Sequence, residues 1–262
     1  MLKETCKSQE NDAADRTAKA GGYVGNAQPD TAERSIAQAL RRGLLPADLP
    51  VLTGLELAHR YYQPPGCLAG SDWHDIVPLP GDRVAIVVGD AMGQGPAAAT
   101  VMVQLRAAAH VLADLDLPPD AVLSRLNRMM LKMNPPAFAT CVCASLDPAT
   151  GSGRIARAGH LPPVLARPEG GGVIEVSPGP PLGLGEAGFE SSHITLPADA
   201  TLALFTDGLV ETRDRACDEG VSALQRALTG SGEPLQDTCD AAMAELGQRG
   251  EDDTTLVLAR IR

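Results

Sequence analysis

The order of strand-like and helix-like segments limits the fold of this chain more than any other feature. Leu55, Leu57, His59 and Tyr61 alternate at period two, and residues 83–89 (RVAIVVG) form a short β-branched run. Residues 138–147, 153–158, 173–176, 201–206 and 254–261 read as further strands. Several are joined by turn sequences such as Asp147-Pro148-Ala149-Thr150-Gly151. Helices are expected at 96–113, opened by Gly95-Pro96, and at 120–133, where Leu123, Leu126, Met130 and Met133 share a stripe. Two more are expected at 221–228 and 234–246. Strands, two helices, strands, two helices, strand is not the strict alternation of a doubly wound parallel fold. It predicts a mostly antiparallel α+β domain. There is no internal repeat at a fixed period.

With 262 residues the chain can form one large domain or two small ones. Its 44% hydrophobic and 21% charged residues exclude wholesale disorder and a fibrous repeat. Only 3% are aromatic, so the core must be built from Ala, Val, Leu, Ile and Met. The net charge of −11 makes nucleic acid and anionic membrane poor partners in bulk electrostatics. The most apolar helix-length window, 96–112, contains Gln104, Arg106 and His110 and is shorter than a bilayer span, so no transmembrane helix is expected.

The six cysteines are scattered, with no Cys-x-x-Cys pair, and the opening residues from Met1 to Asp15 are polar with no apolar core of a leader. A reducing, cytoplasmic setting with free thiols is the expectation. Residues 1–34 read as a flexible tail or linker and 35–262 as one domain. A helix is expected at 31–45, where Ile36, Ala39, Leu40 and Leu44 recur at helical steps. It either packs on its own domain or serves as an exposed surface that forms a homodimer or receives a signal.

Acidic residues stand where strand signals stop or start. Asp90 follows RVAIVVG, Asp207 follows TLALFT, and Asp252 and Asp253 directly precede TTLVLARI. Asp72 opens an apolar stretch within Gly70-Ser71-Asp72-Trp73-His74-Asp75. Asp and Gly are common turn residues after strands, so any one of these positions alone says little. Together they predict carboxylates converging at one sheet edge, where mutual repulsion calls for protons or cations. All-oxygen ligation selects hard cations, Mg²⁺ or Mn²⁺. Gly93 and Gly95 after Asp90, and Gly208 after Asp207, would let the backbone turn tightly there.

On these residues the sequence resembles the SpoIIE/RsbU-type serine phosphatase domains of the PPM (PP2C-like) superfamily. The resemblance runs in order over roughly residues 35–262. It comprises LRRGLLP at 40–46, Gly70-Ser71-Asp72-Trp73-His74-Asp75, GDAMGQGPAAA from Gly89, Met102-Val103-Gln104-Leu105-Arg106, and Ala139-Thr140. It continues with Ala158-Gly159-His160-Leu161-Pro162, Pro181-Leu182-Gly183, Thr206-Asp207-Gly208-Leu209-Val210-Glu211 and Asp252-Asp253-Thr254-Thr255. Any one of these motifs is unspecific; their shared order is the signal.

The resemblance implies an α-β-β-α sandwich of two antiparallel sheets flanked by helices, with two Mn²⁺ or Mg²⁺ ions in the cleft between the sheet ends. By motif, Asp90 would bridge both ions and Asp207 and Asp252 would bind the first. The Ala91 carbonyl would help hold the second, and Asp72 would bind it directly or through water. Asp253 ranks below Asp252. The implied activity is hydrolysis of phosphoserine or phosphothreonine on a partner protein. The implied partner is a phosphorylated STAS-domain anti-sigma-factor antagonist in bacterial partner switching. The alternatives are a non-catalytic binding module of the same fold and a small-molecule phosphomonoesterase.

The chain departs from the pattern at Ser71, which replaces a glycine, and at His74, which replaces an aromatic. Met92 stands where eukaryotic relatives carry a histidine general acid, and no arginine matches a phosphate clamp. Cys141 and Cys143, two apart on one strand, read as core residues, with a redox or metal role as the alternative; the Met129, Met130 and Met133 cluster reads as core, with a binding surface as the alternative; and Trp73 reads as packing beneath the cleft, with a substrate contact as the alternative. His160 reads as a structural, hydrogen-bonded histidine, with a proton carrier as the alternative.

Overall fold

A computed structural model describes residues 49–64, 70–186, 188–229, 234–247 and 252–262. The helix expected at 31–45 and the tail before it lie outside the described residues. One five-stranded sheet has the order β1-β10-β9-β6-β7 and the other β2-β3-β4-β5-β8. The first is formed by β1 (Leu55–Tyr62), β6 (Val164–Arg167), β7 (Gly170–Val173), β9 (Thr201–Phe205) and β10 (Thr254–Ile261). The second is formed by β2 (Asp72–Leu79), β3 (Arg83–Ala91), β4 (Ala139–Asp147), β5 (Ser152–Ala158) and β8 (Ser192–Thr195). Every paired strand in both sheets is antiparallel.

The alternation of side chains along each strand builds four layers. Val84, Ile86 and Val88 of β3 point between the sheets, where they meet Val142 and Leu146 of β4 and Leu202, Leu204, Val257 and Ala259 of the opposite sheet. The intervening Val87, with Cys141 and Cys143, faces the other way, onto α1 (Gly95–Asp114) and α2 (Pro119–Met130) through Met102, Leu105, Leu123, Leu126 and Met130. On the far side, Ala203, Phe205, Leu256 and Leu258 receive α4 (Cys217–Leu228) and α5 (Leu235–Ala242), the latter continued by a π turn at Met243–Gly247. A short α3 (Asp207–Val210) follows β9 directly. Small and aliphatic side chains fill all three interfaces, as the shortage of aromatics requires. Trp73, Phe189 and Phe205 are the aromatic exceptions; Trp73 is fully buried under α1 and paired across the strands with Gly89.

The α-β-β-α sandwich is thus the architecture expected. Three strands went unread, β2, β6 and β8, and the strand expected at 173–176 ends at Val173. The helix expected to reach Met133 stops at Met130. The Pro181-Leu182-Gly183 segment gains a structural role. Leu182 bridges Ala139 at the start of β4, while the buried Asn127 of α2 accepts from the Gly183 N–H and donates to the Gly185 carbonyl. That amide ties the loop to the helix with one donor and one acceptor satisfied.

Candidate metal centre

Both sheets deliver carboxylates to the same end of the sandwich. In one sheet Asp72 at the start of β2 and Asp90 near the end of β3 are direct cross-strand partners, so their side chains share a face. In the other, Asp207 follows β9 and Asp252 and Asp253 precede β10, and the ends of these two strands are joined where the Thr206 N–H donates to the Thr255 carbonyl. Like charges placed directly opposite on paired strands are destabilising, so nothing in strand packing favours this arrangement.

Hydrogen bonds hold the two sheet ends against each other. Asp72 Oδ2 accepts from Thr206 Oγ1 at 2.6 Å and from Thr255 Oγ1 at 3.1 Å, both across the sandwich. In return Asp253 Oδ2 accepts from the Ser71 N–H at 2.7 Å. Thr206 Oγ1 also accepts from the Thr255 N–H. Two acidic residues thereby position the cleft from its buried side, while Asp90 and Asp207 are partly exposed and Asp252 is exposed at its mouth.

The electrostatics of this end are those of crowded anions. Burial first, and then the neighbouring Asp90 charge, holds the Asp72 carboxyl well above the ordinary carboxylate range, against the lowering effect of the Thr206 hydroxyl. Burial and the Asp207 charge do the same to Asp90, with Asp252 and Asp253 adding to it. Among the described residues, Asp90 Oδ1 is buried with no hydrogen-bond partner. A buried, unpartnered carboxylate oxygen facing other aspartates is costly unless positive charge is supplied.

Asp72, Asp90, Asp207 and Asp252 therefore lie at the same end of the sandwich, near enough for the charges of Asp207 and Asp252 to act on Asp90. They fit hard dications in donor type, in charge and in the open oxygen of Asp90. As the side chains stand, no three His, Cys, Asp or Glu residues among those described converge in ligating positions. Asp72 is turned onto its two threonines and Asp252 Oδ1 accepts from the Asp253 N–H.

The loops around the cleft are shaped for it. Gly93 and Gly95, at φ 105° and 78°, carry the chain from Asp90 into α1 through backbone conformations that a side chain rarely tolerates. Ala91 sits at the end of β3 with its N–H donated to the Ser71 carbonyl. Behind the cleft, the buried Asp75 accepts from Arg106 at 3.4 Å and pairs with His110 Nδ1 at 2.8 Å, both on α1. The second aspartate of the Gly70–Asp75 motif and the arginine of the Met102–Arg106 motif thus meet, fastening α1 to β2 three residues from Asp72. Sequence reading assigned no role to Asp75, Arg106, Thr206 or Thr255. Their signal was present only as motif positions.

His160 resolves as a structural residue. It is buried, with Nε2 donating to the Phe205 carbonyl at 3.0 Å and Nδ1 accepting from Thr140 Oγ1 at 2.8 Å. Burial pushes its pKa down to about 4; the Phe205 carbonyl opposes that shift and the Arg157 charge adds to it. The folded state therefore binds the proton less well than the unfolded chain, and the stability this histidine contributes is present above pH 6.5 and lost as pH falls toward 4. Between pH 7.5 and 5.0 the stability gap between wild type and His160→Gln is expected to narrow by about 2 kcal/mol. Urea unfolding at the two pH values measures it, and a constant gap would contradict the neutral buried ring.

The other candidates are quieter. Cys141 and Cys143 are free and buried; burial holds the first thiol well above its ordinary value and pushes the second up to about 12. Neither is a nucleophile at neutral pH. Met92 is exposed at the cleft loop.

Two antiparallel sheets layered between helix pairs, with acidic residues gathered at one end, define a PP2C-like phosphatase fold. Solved structures agree. The RsbU and RsbW domains of Rv1364c from Mycobacterium tuberculosis match with a TM-score of 0.74 at 31% identity, over 81% of this chain and 61% of that one. The PP2C phosphatase domain of SpoIIE from Bacillus subtilis, with a fragment of its regulatory domain, matches at 0.70 and 20% identity, over 81% and 64%. RsbX in complex with magnesium matches at 0.65 and 14% identity, over 82% and 99%. The match thus spans about three-fifths of the first two chains. The family profile of Stage II sporulation protein E (SpoIIE) matches residues 80–262, and the chain belongs to that family. Among the described residues no helix is long and apolar enough to cross a membrane.

Proposed function

We propose that this chain is a divalent-metal-dependent protein phosphatase that hydrolyses phosphoserine or phosphothreonine on a partner protein. The carrying observation is the set of aspartates that two separate sheets bring to one end at an electrostatic cost, with an unpartnered buried oxygen on Asp90. Asp90, Asp207 and Asp252 would hold one Mn²⁺ or Mg²⁺, and Asp90, the Ala91 carbonyl and Asp72 a second. When bound, such ions supply a water of lowered pKa and charge that offsets the transferring phosphoryl group.

The chain's own residues do the rest. Thr206 and Thr255 steady Asp72 through its Oδ2, and Ser71 holds Asp253 in place. The glycine turn from Asp90 into α1 forms the edge of the mouth. His160, with both ring nitrogens engaged, is not available to protonate the leaving alkoxide, which takes its proton from solvent. The partner in this reading is a phosphorylated anti-sigma-factor antagonist of the STAS type, in a cytoplasmic partner-switching pathway, and the likeness to the RsbU and RsbW domains supports it.

The test is phosphate release by metal-stripped protein from a phosphoserine protein and from p-nitrophenyl phosphate, with and without Mn²⁺. Release that requires the metal and is faster from the protein is the expected result. Release from the small ester alone would mark a phosphomonoesterase. Calorimetric Mn²⁺ binding without turnover on either substrate would leave a binding module.

A further inference from the structure

At the pole of the sandwich away from the carboxylates, a groove of about 470 Å³ opens on the helix-covered face of the second sheet. Its position follows from strand direction. Arg83 begins β3, whose other end carries Asp90, and Asp147 and Ser152 flank the turn between β4 and β5. Its floor is a cross-strand row. Ser145 of β4 pairs with Arg154 of β5, which pairs with His193 of β8. One wall is the connection from α1 to α2 at Asp116, Leu117 and Pro118. The volume lies in the range of small-ligand sites.

The polar groups in this groove are unequally committed. Arg83 donates to the Pro80 carbonyl and to Asp116 Oδ2, so that cation and that carboxylate answer each other. Asp147 Oδ1 accepts from the Ala149 N–H. The side chains of Arg154 and His193 are exposed and make no hydrogen bond or ion pair among the described residues. Among the described residues the uncommitted groups are therefore an arginine fork, an imidazole and the hydroxyls of Ser145 and Ser152, while Asp116 is paired with Arg83 and Asp147 has one oxygen engaged. A carboxylate ligand would be satisfied by the fork alone. Donors drawn from three strands around one space suit a group with more oxygens, and arginine matches phosphate oxygens in geometry.

We propose that the groove lined by Ser145, Ser152, Arg154 and His193 binds a compact tetrahedral oxyanion, either free phosphate or the phosphate group of a small phosphomonoester. The site stands apart from the carboxylate cleft and does not depend on the phosphatase reading.

The test is titration calorimetry of chelator-treated protein, so that no cation in the cleft competes, with orthophosphate, phosphoserine and acetate as separate probes. Orthophosphate or phosphoserine binding that weakens at least tenfold in Arg154→Ala, with acetate much weaker in the wild type, is the expected result. Preference between the first two probes distinguishes a free phosphate from a phosphomonoester. Absence of binding by both, binding unchanged in Arg154→Ala, or acetate binding as well as phosphate would each overturn it. Arg154 is exposed, and circular dichroism identical to wild type would show that the variant is folded.

Discussion

Asp90→Asn is expected to lower metal-dependent phosphate release at least about a hundredfold while leaving the fold intact. The substitution keeps the size of the side chain and removes a charge that the sheet must otherwise confine beside Asp72 and Asp207. Two effects of opposite sign follow. Without metal, the variant loses repulsion among buried like charges, so its melting temperature should equal or exceed that of wild type. With Mn²⁺ in excess, the wild type gains stability in proportion to the logarithm of metal over its dissociation constant, and the variant gains much less. Thermal melts of both proteins with and without Mn²⁺ separate this from a folding defect. A variant less stable than wild type without metal, or equally stabilised by it, would remove Asp90 from the metal centre. Near-normal turnover would do the same.

The positions of the site aspartates were legible because each stands at the edge of an apolar run, where a strand must end, and because glycines follow Asp90 and Asp207. What joins them was not. Asp72 meets Thr206 and Thr255 across separations of 134 and 183 residues, and no local pattern announces a contact made only when two sheets stack. The same reason hid Asp75 and Arg106, which meet through a helix laid on a strand.

β2 escaped notice because its first residues, Asp72-Trp73-His74-Asp75, look polar. In the fold nearly all of β2 is buried, one face against α1 and the other against the opposite sheet. The polar residues survive there by pairing: His74 Nε2 lies 2.7 Å from His59 Nδ1 of the other sheet, and burial pushes its pKa down to about 3. The four-residue strands β6 and β8 are too short for alternation to register. Order of elements and β-branched runs sufficed for the fold class, since layering follows from which faces are apolar.

Gly208→Ala is expected to be the most disruptive single-methyl change near the cleft. Gly208 lies in α3, so helix propensity alone would favour alanine by about 1 kcal/mol. Space decides otherwise. A Cβ at this position would stand 2.0 Å from the Asp253 carbonyl oxygen and 3.2 Å from Thr254 Oγ1. The near atom is backbone at the mouth of β10 and cannot swing aside as a side chain tip would. Either α3 moves, carrying Asp207 with it, or the start of β10 moves, carrying Asp252 and Asp253. Overpacking of this kind costs about 1–3 kcal/mol, and here the displaced groups are the candidate ligands, so Mn²⁺ affinity should fall along with stability. Gly185→Ala is the control, because a Cβ there meets nothing within 4 Å, and its stability should stay within about 0.5 kcal/mol of wild type. Urea unfolding and Mn²⁺ calorimetry on the two variants give the comparison. If Gly208→Ala matches the control in both, the close approach of α3 to β10 does not set the cleft.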